Sequence, residues 1–401
     1  METVSAEAVV VGGGPAGLTA AVALAGAGTE TALVRGAPDK ADNRTTALLA
    51  GSVKALDTLG AWNPCRIHAA PLAILRVIDD TKRLFRAPEV SFDAREIGLD
   101  GFGYNIENRH LCAALEARAR ALPPLTVIED EAIEVGLGNE SVTIKGRGGA
   151  LVVARLAIGA DGRNSLCRPA AGIARHSRRY PQTALTFNLR HSRAHGGAAT
   201  EFQTEAGPFT LVPLPGLRSS LVFVVDPAEV AGLAALSAQD ISAEIERRSH
   251  SILSKILVEP EYGMFPLAVE IVQKMGARRI VLVGEAAHVL PPIGAQGLNL
   301  GLRDAATIAE LAVAARRDGA DIGSSDLTFR YEHVRRADVM SRSLAADLLN
   351  RSLLSDALPF QAARGLGLFL AGRIGPLRRA AMREGVAPMA SQPRLMRGEA
   401  L

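Results

Sequence analysis

The chain has 401 residues, 45 Lys and Arg against 42 Asp and Glu, a formal charge of +3, 48% hydrophobic residues and 4% aromatics. That apolar content excludes disorder, and the near-balanced charge with no basic patch interleaved with aromatics argues against a nucleic-acid surface. Three scattered cysteines, Cys65, Cys112 and Cys167, form no C-x-x-C pair, which predicts a reducing compartment with neither a disulfide framework nor a zinc site.

Glu7–Val11 reads as a buried strand running into Gly12-Gly13-Gly14-Pro15-Ala16-Gly17, then an Ala/Leu-rich helix to about Ala27. This is G-x-G-x-x-G between a strand and a helix. In that setting Gly12 makes the tight turn, Gly14 lets a pyrophosphate approach the backbone, and Gly17 lets the helix pack close to the sheet. Gly12, Gly14, Pro15, Ala16 and Gly17 are therefore candidate dinucleotide ligands. No basic region precedes the apolar run, so no secretion signal is expected. The uncharged segment Ala8–Thr29 is long enough to span a bilayer, but its glycines, Pro15 and strand–turn–helix pattern argue for a nucleotide fold instead. The next strand, Thr31–Val34, leads to Arg35, where a dinucleotide fold normally has the Asp or Glu that holds a ribose. Arg35 is a candidate for a phosphate, and Asp39, in the loop beyond, for the missing carboxylate.

Asn43–Trp62 carries Arg44 and a helix ending near Gly60 that Ser52 is placed to cap. Leu72–Phe92 alternates like a strand. Gly103–Asn108 leads into a helix, Arg109–Ala121, stopped by Pro123-Pro124; Asn108 reads equally as its cap or as a ligand. Thr126–Ile128 and Ser141–Lys145 are short strands. A longer one, Leu151–Ile158, ends in the acidic turn Ala160-Asp161-Gly162, a good turn in its own right. Tyr180–Glu270 reads mainly as strands, Thr183–Leu189, Thr200–Thr204, Phe209–Pro213 and Ser219–Val225, with a helix at about Ser237–Ser249.

Val281–Asp304, VLVGEAAHVLPPIGAQGLNLGLRD, is a short apolar strand, a Pro/Gly loop, then a helix from Leu298 with apolar residues at helical spacing. A Gly-rich loop feeding a helix offers free backbone N–H groups and the positive end of the helix dipole to something electron-rich. Beyond Ala315 the chain is helical. Its tail, 361–401, has seven Arg (364, 373, 378, 379, 383, 394 and 397) against Glu384 and Glu399, with Leu366, Leu368, Phe369, Leu370, Ile374 and Leu377 between them. Such a basic amphipathic segment suits an anionic membrane surface or a partner protein, or a packed helix with a solvated basic face. No run reaches ~18 apolar residues, so no bilayer span is expected.

Three of these stretches resemble the single-component FAD-dependent aromatic hydroxylases. They are the G-x-G-x-x-G of Gly12–Gly17, the A-D-G-x-x-S-x-x-R of Ala160–Arg168, and G-E-A-A-H-x-x-x-P-x-G-A-x-G-L-N of Gly284–Asn299. Asn43–Trp62 is similar to the family's D-x-R-x-x-A-L segment, and G-Y-N-I-E-N at Gly103–Asn108, with the tail G-L-N-L-G-L-R-D, looks most like the branch that hydroxylates ubiquinone precursors. The resemblance implies an α/β fold: a Rossmann-like FAD-binding domain, an antiparallel-sheet substrate domain and a C-terminal helical segment. The FAD-binding parts are expected at 1–71, 104–179 and 271–345, the substrate domain at 72–103 and 180–270, and the helical segment at 346–401. It implies that Arg44 and Asn108 or Arg109 contact the cofactor, and that Asp161-Gly162 touches the riboses. Glu285 stands where the family usually has Asp or Asn and would take the ribityl hydroxyls. Pro292 would shape the wall beside the reactive flavin carbon, and Gly294 would belong to the cofactor-binding loop. Ala295, Gln296, Gly297, Leu298 and Asn299 would set backbone donors near the pyrimidine edge, where reduced flavin is negative. His288 would line the flavin as a packed residue rather than as a catalyst.

The implied activity is hydroxylation of the ring of a polyprenylated phenol in ubiquinone biosynthesis, with bound FAD, transient NAD(P)H and O2, through a flavin C4a-hydroperoxide. One G-x-G-x-x-G leaves no second unit for a resident NAD(P)H. The alternatives are a hydroxylase of a small polar aromatic, marked by an Arg or Tyr cluster in the pocket, and a non-catalytic flavoprotein-like subunit of a ubiquinone-biosynthesis complex. A cytoplasmic protein, peripheral on the inner membrane if the tail binds lipid, is expected; no catalytic base is assigned and the oligomeric state is left open.

Overall fold

The structure is a computed structural model that describes residues 3–37, 44–83, 86–354, 365, 367, 370, 372–386 and 392–401. Asp39 and much of the tail, including Arg364, Leu366, Leu368 and Phe369, lie outside the described residues.

Two sheets organise the chain. The first runs in the order Gly276–Ala277, Ile280–Leu282, Leu151–Gly159, Thr3–Val11, Thr31–Arg35, Leu125–Glu129, with all but its first pairing parallel. Strands covered on both faces read as continuous apolar runs, and Ala8–Val11 and Ile280–Leu282 are buried throughout. Ala132–Leu137 and Val142–Gly146 extend this sheet antiparallel from Leu151–Gly159. The first of these has mixed burial and no clean alternation, so it left no strand signal.

The helix Pro15–Gly26 follows the first strand without any side-chain cap. Gly12 has φ +119°, and a Cβ there would sit 2.2 Å from the Ala160 carbonyl oxygen. At Gly17 a Cβ would lie 2.1 Å from the Gly12 carbonyl oxygen, so only glycine lets the helix start this close to the turn.

The second sheet is mostly antiparallel, in the order His288–Val289, Ile256–Val272, Arg175–His191, Arg218–Val225, Pro208–Leu214, Ala198–Gln203, Ile74–Asp79, Val90–Asp93. Alternation sends Phe202, Phe209, Leu211, Leu221 and Phe223 to one face, where Ile241 and Ile245 of the helix Ala238–Arg248 complete a core. The other face carries Ala199, Glu201, Thr210, Val212 and Val222 toward a cavity. A further helix, Pro227–Ala234, capped by Asp226, also interrupts these strands. Two strands are longer than their alternation suggested. Arg175–His191 and Ile256–Val272 pair over their whole length, with register shifts that break the pattern.

A small sheet, Thr45–Leu49, Gly103–Glu107 and Ala69–Pro71, lies between them in sequence and lines the same cavity. The helix Ala50–Thr58 follows it. Leu49, not Ser52, is its N-cap; Ser52 is buried and donates to Asn299 Oδ1 at 2.7 Å. The helix Gln296–Arg317, the 30-residue helix Ser325–Leu354 and the helix Gly375–Val386 complete the described fold.

Candidate functional site

A cavity of about 1070 Å³ opens between the two sheets. From the first sheet and its loops come Gly12, Gly14, Pro15, Ala16, Gly17, Asp161 and Gly162. The stretch after Leu282 gives Glu285, His288, Pro292, Gly294, Ala295, Gln296, Gly297 and Leu298, and the small sheet gives Arg44 and Asn108. Residues from all the quoted motifs thus meet on one surface.

Three properties of that surface fit a dinucleotide flavin. A Cβ on Gly14 would meet nothing within 4 Å, so the backbone there is open to the cavity. Both Pro15–Gly26 and Gln296–Arg317 begin at the cavity with no side-chain cap, leaving first-turn N–H groups and the positive dipole end for an anion. Asp161 spends Oδ2 on the Leu166 and Cys167 amides, at 2.7 and 3.0 Å, while its buried Oδ1 has no hydrogen-bond partner among the described residues. An orphaned carboxylate oxygen on a cavity wall is satisfied by a ligand hydroxyl.

The Pro/Gly loop is set by backbone. Gly294 (φ +65°) and Ala295 (φ +54°) are both left-handed, which turns the chain sharply into the helix at Gln296, two residues earlier than the apolar spacing indicated. Asn299 is not among the residues lining the cavity. It accepts from the Leu49 amide and Ser52 and donates to the carbonyls of Ala47 and Ala295, so it fastens the loop to the small sheet.

His288 lines the cavity with its ring buried, its Nε2 2.7 Å from Asp304 Oδ2. Asp304 also accepts from Arg335 Nε at 2.7 Å and from the Gly284 amide at 3.1 Å. Burial opposes a charge on Asp304, but Arg335 and His288 outweigh it and hold the carboxyl at about 2. Arg335 continues to Asp338, which binds Arg303 and Arg342; Arg342 reaches Gln296 Oε1 at 3.0 Å and Glu384 at 3.3 Å. The sequence reading missed this network. Asp304 and His288 share one motif, but Arg335 and Asp338, which extend the network, lie on another helix.

Two other expected ligands fall elsewhere. Arg35 is buried, with its guanidinium bound to Glu116 and Glu129, and it does not line the cavity; only its aliphatic stem comes near Gly13. Arg109 pairs with Glu107 at 2.7 Å, is largely exposed and also lies outside the lining. Asn108 does line it, accepting from Thr46 Oγ1 at 2.6 Å, while Glu107 occupies the N-cap position with its side chain turned to Arg109 and Arg218 rather than to the helix amides. The Arg44 guanidinium carbon lies 5.6 Å from the centroid of the Phe265 ring.

Residues 5–342 match the FAD binding domain family. The chain is 37% identical over 406 residues to ubiquinone hydroxylase UbiL of Rhodospirillum rubrum, covering 98% of this chain and 93% of that protein. It is 31% identical to 3-demethoxyubiquinol 3-hydroxylase of Escherichia coli, covering 94% of this chain and 97% of the relative. The fold superposes on p-nitrophenol 4-monooxygenase PnpA of Pseudomonas putida with a TM-score of 0.78 at 20% identity, over 96% of this chain and 98% of that one. With the motifs gathered on one cavity and relatives alike over nearly their full length, the chain belongs to the FAD-binding monooxygenases, in the branch of ubiquinone-biosynthesis hydroxylases.

Proposed function

We propose that this enzyme hydroxylates the ring of a polyprenylated phenol, using NAD(P)H and O2. The observation that carries the substrate class is the lining contributed by the second sheet and its neighbours. Leu75, Phe92, Phe102, Val212, Val222 and Met382 make it apolar. Among the described residues Arg44 is the one Lys or Arg lining the cavity, and no Tyr lines it. A small carboxylated aromatic needs a cationic or phenolic clamp, whereas a prenylated ring needs apolar wall.

FAD, when bound, supplies the electron transfer and oxygen activation that side chains cannot. Gly12–Gly14 and the start of Pro15–Gly26 hold the pyrophosphate, and Asp161 Oδ1 takes a cofactor hydroxyl. The uncapped amides of Gln296–Leu298 favour negative charge at the ring edge. Asp304, held by Arg335, fixes His288, which packs the wall. Pro291, Pro292 and the apolar lining keep water from the reacting ring. The enzyme works at a membrane surface, where such substrates reside.

The test is turnover of FAD-loaded enzyme with NADH or NADPH on a short-chain prenylphenol and on 4-hydroxybenzoate. The expected result is a product with one added oxygen and a kcat/KM for the prenylphenol about tenfold or more above that for the acid. A preference for the acid, or folded protein that stays colourless with FAD, overturns the proposal.

A further inference from the structure

Buried carboxylates in this protein come with partners. Asp304 has His288, Arg335 and an amide; Asp79 takes the Thr81 amide and hydroxyl and the Ala87 amide. Glu201, half-buried on the cavity wall, stands apart. It sits on the strand Ala198–Gln203, on the face turned to the cavity, directly opposite Thr210 in the neighbouring strand. Its hydrogen-bond partner among the described residues is the Gln203 amide nitrogen at a long 3.5 Å. No cation pairs with it there. Thr210 Oγ1 beside it is buried with no partner among the described residues. Around them the wall is Ala199, Val212, Val222 and Leu75.

A carboxyl kept in apolar surroundings without a counter-charge costs stability, and among the described residues only the long contact from Gln203 engages it. Its partial burial on the cavity wall pushes its titration up. Such a group is explained by a ligand that arrives with a hydrogen to share. The reading of the cavity as a prenylphenol site, on which this rests, supplies one: the ring hydroxyl.

We infer that Glu201 is the polar anchor of the substrate ring, its carboxyl accepting a hydrogen bond from a ring hydroxyl with the Thr210 hydroxyl alongside. The bond fixes which ring carbon faces the cofactor side of the cavity. It also draws the phenolic proton toward oxygen and so enriches the ring in electrons, without any proton leaving the substrate. The ligand class is a phenol with a free hydroxyl, as opposed to its ether.

The probes are 2-geranylphenol and its O-methyl ether, titrated by calorimetry into FAD-loaded wild type, E201Q, Glu201→Leu and Thr210→Val. Wild type is expected to bind the phenol about tenfold tighter than the ether, the worth of one hydrogen bond to a charged or strongly polar group. Glu201→Leu loses that preference with ether affinity and FAD content unchanged. E201Q keeps part of it, because the amide oxygen still accepts, and Thr210→Val reduces it. Turnover separates the roles further: Glu201→Leu is expected to lower kcat on the phenol and to release more hydrogen peroxide per NAD(P)H. A structural carboxyl would show itself in the thermal midpoint of the apo-protein, which is expected to hold or rise in Glu201→Leu. Wild type that binds neither probe overturns the substrate reading and this inference together. Wild type that hydroxylates the phenol, beside a Glu201→Leu variant that keeps the tenfold preference, overturns this inference alone.

Discussion

Gly12 and Gly14 belong to one motif but answer to different constraints. At Gly12 the backbone needs φ +119° and a Cβ would strike the Ala160 carbonyl. At Gly14 the dihedrals are ordinary, φ −75° and ψ 173°, and a Cβ would enter open space. Gly12→Ala is therefore expected to lower the stability of the apo-protein by roughly 1–3 kcal/mol, the cost of a strained backbone position. Gly14→Ala is expected to leave that stability unchanged and weaken FAD about tenfold or more, because the methyl occupies space the pyrophosphate needs. Denaturant melts with and without FAD separate the two. Equal loss of apo stability in both would refute the distinction. Arg35 makes a third case. With its guanidinium buried against Glu116, Arg35→Ala should cost about 1–3 kcal/mol of stability by leaving the half-buried Glu116 without its partner, while the exposed Glu129 keeps Arg120; FAD affinity should shift less than about threefold. Glycines that a turn demands are visible in a sequence because the demand is local. Where an arginine's head points is not, since Glu116 and Glu129 stand more than eighty residues away.

The helices Gln296–Arg317 and Ser325–Leu354 are joined by buried charge as well as by apolar packing. Asp304 of the first is clasped by Arg335 of the second, and Asp338 of the second by Arg303 of the first. The same chain of contacts steadies His288 and Gln296 at the cavity. Removing one partner of such a cluster is costly, so Asp304→Asn should destabilise by about 3–5 kcal/mol. Its pH signature follows from the titration. The folded carboxyl loses its proton at about 2 against 3.8 for an ordinary Asp. Between those values the unfolded chain binds more protons. The stabilisation is thus complete above about 4 and disappears as pH falls through about 2. Unfolding free energies measured from pH 5 to 2 should fall more steeply for wild type than for Asp304→Asn; parallel curves would refute the assignment. The first helix was legible from apolar spacing, the second only as part of a helical stretch beyond Ala315. Their mutual clamp was not, because periodicity says which residues face inward but not which charges meet there. The face of Ala198–Gln203 that meets the cavity was hidden for the same reason: alternation puts Glu201 and Phe202 on opposite sides, and the sheet pairings decide which side is core.

At the scale of the whole molecule, two sheets back a single cavity, and the C-terminal helix Gly375–Val386 adds Met382 and Val386 to its wall. The three cofactor motifs were readable because each is a strand end or loop whose chemistry is local; the closing of the cavity by a distant helix was not. That helix also ties the interior to the outer surface. Beside the buried Met382 and Val386 it exposes Leu377, Arg379 and Arg383, and just before it lie the exposed Arg373 and Ile374. The helix Ser325–Leu354 exposes Met340, Leu344 and Leu348, a stripe at four-residue spacing. No helix among the described residues is long and apolar enough to cross a membrane. Apolar side chains among cations suit an anionic lipid interface, with leucines entering the headgroup boundary and arginines meeting phosphates. A prenylated substrate would then reach the cavity from lipid. Flotation with vesicles carrying anionic lipid should carry the wild-type protein upward, and less so as salt is raised. Leu344→Glu together with Leu348→Glu should abolish flotation while FAD content and turnover of a detergent-dispersed short prenylphenol persist, because neither residue lines the cavity. Turnover of vesicle-borne long-chain substrate should fall in step with flotation. If the double variant still floats, these leucines do not touch lipid. If it stops floating yet turns over vesicle-borne substrate at the wild-type rate, the substrate does not enter through this surface.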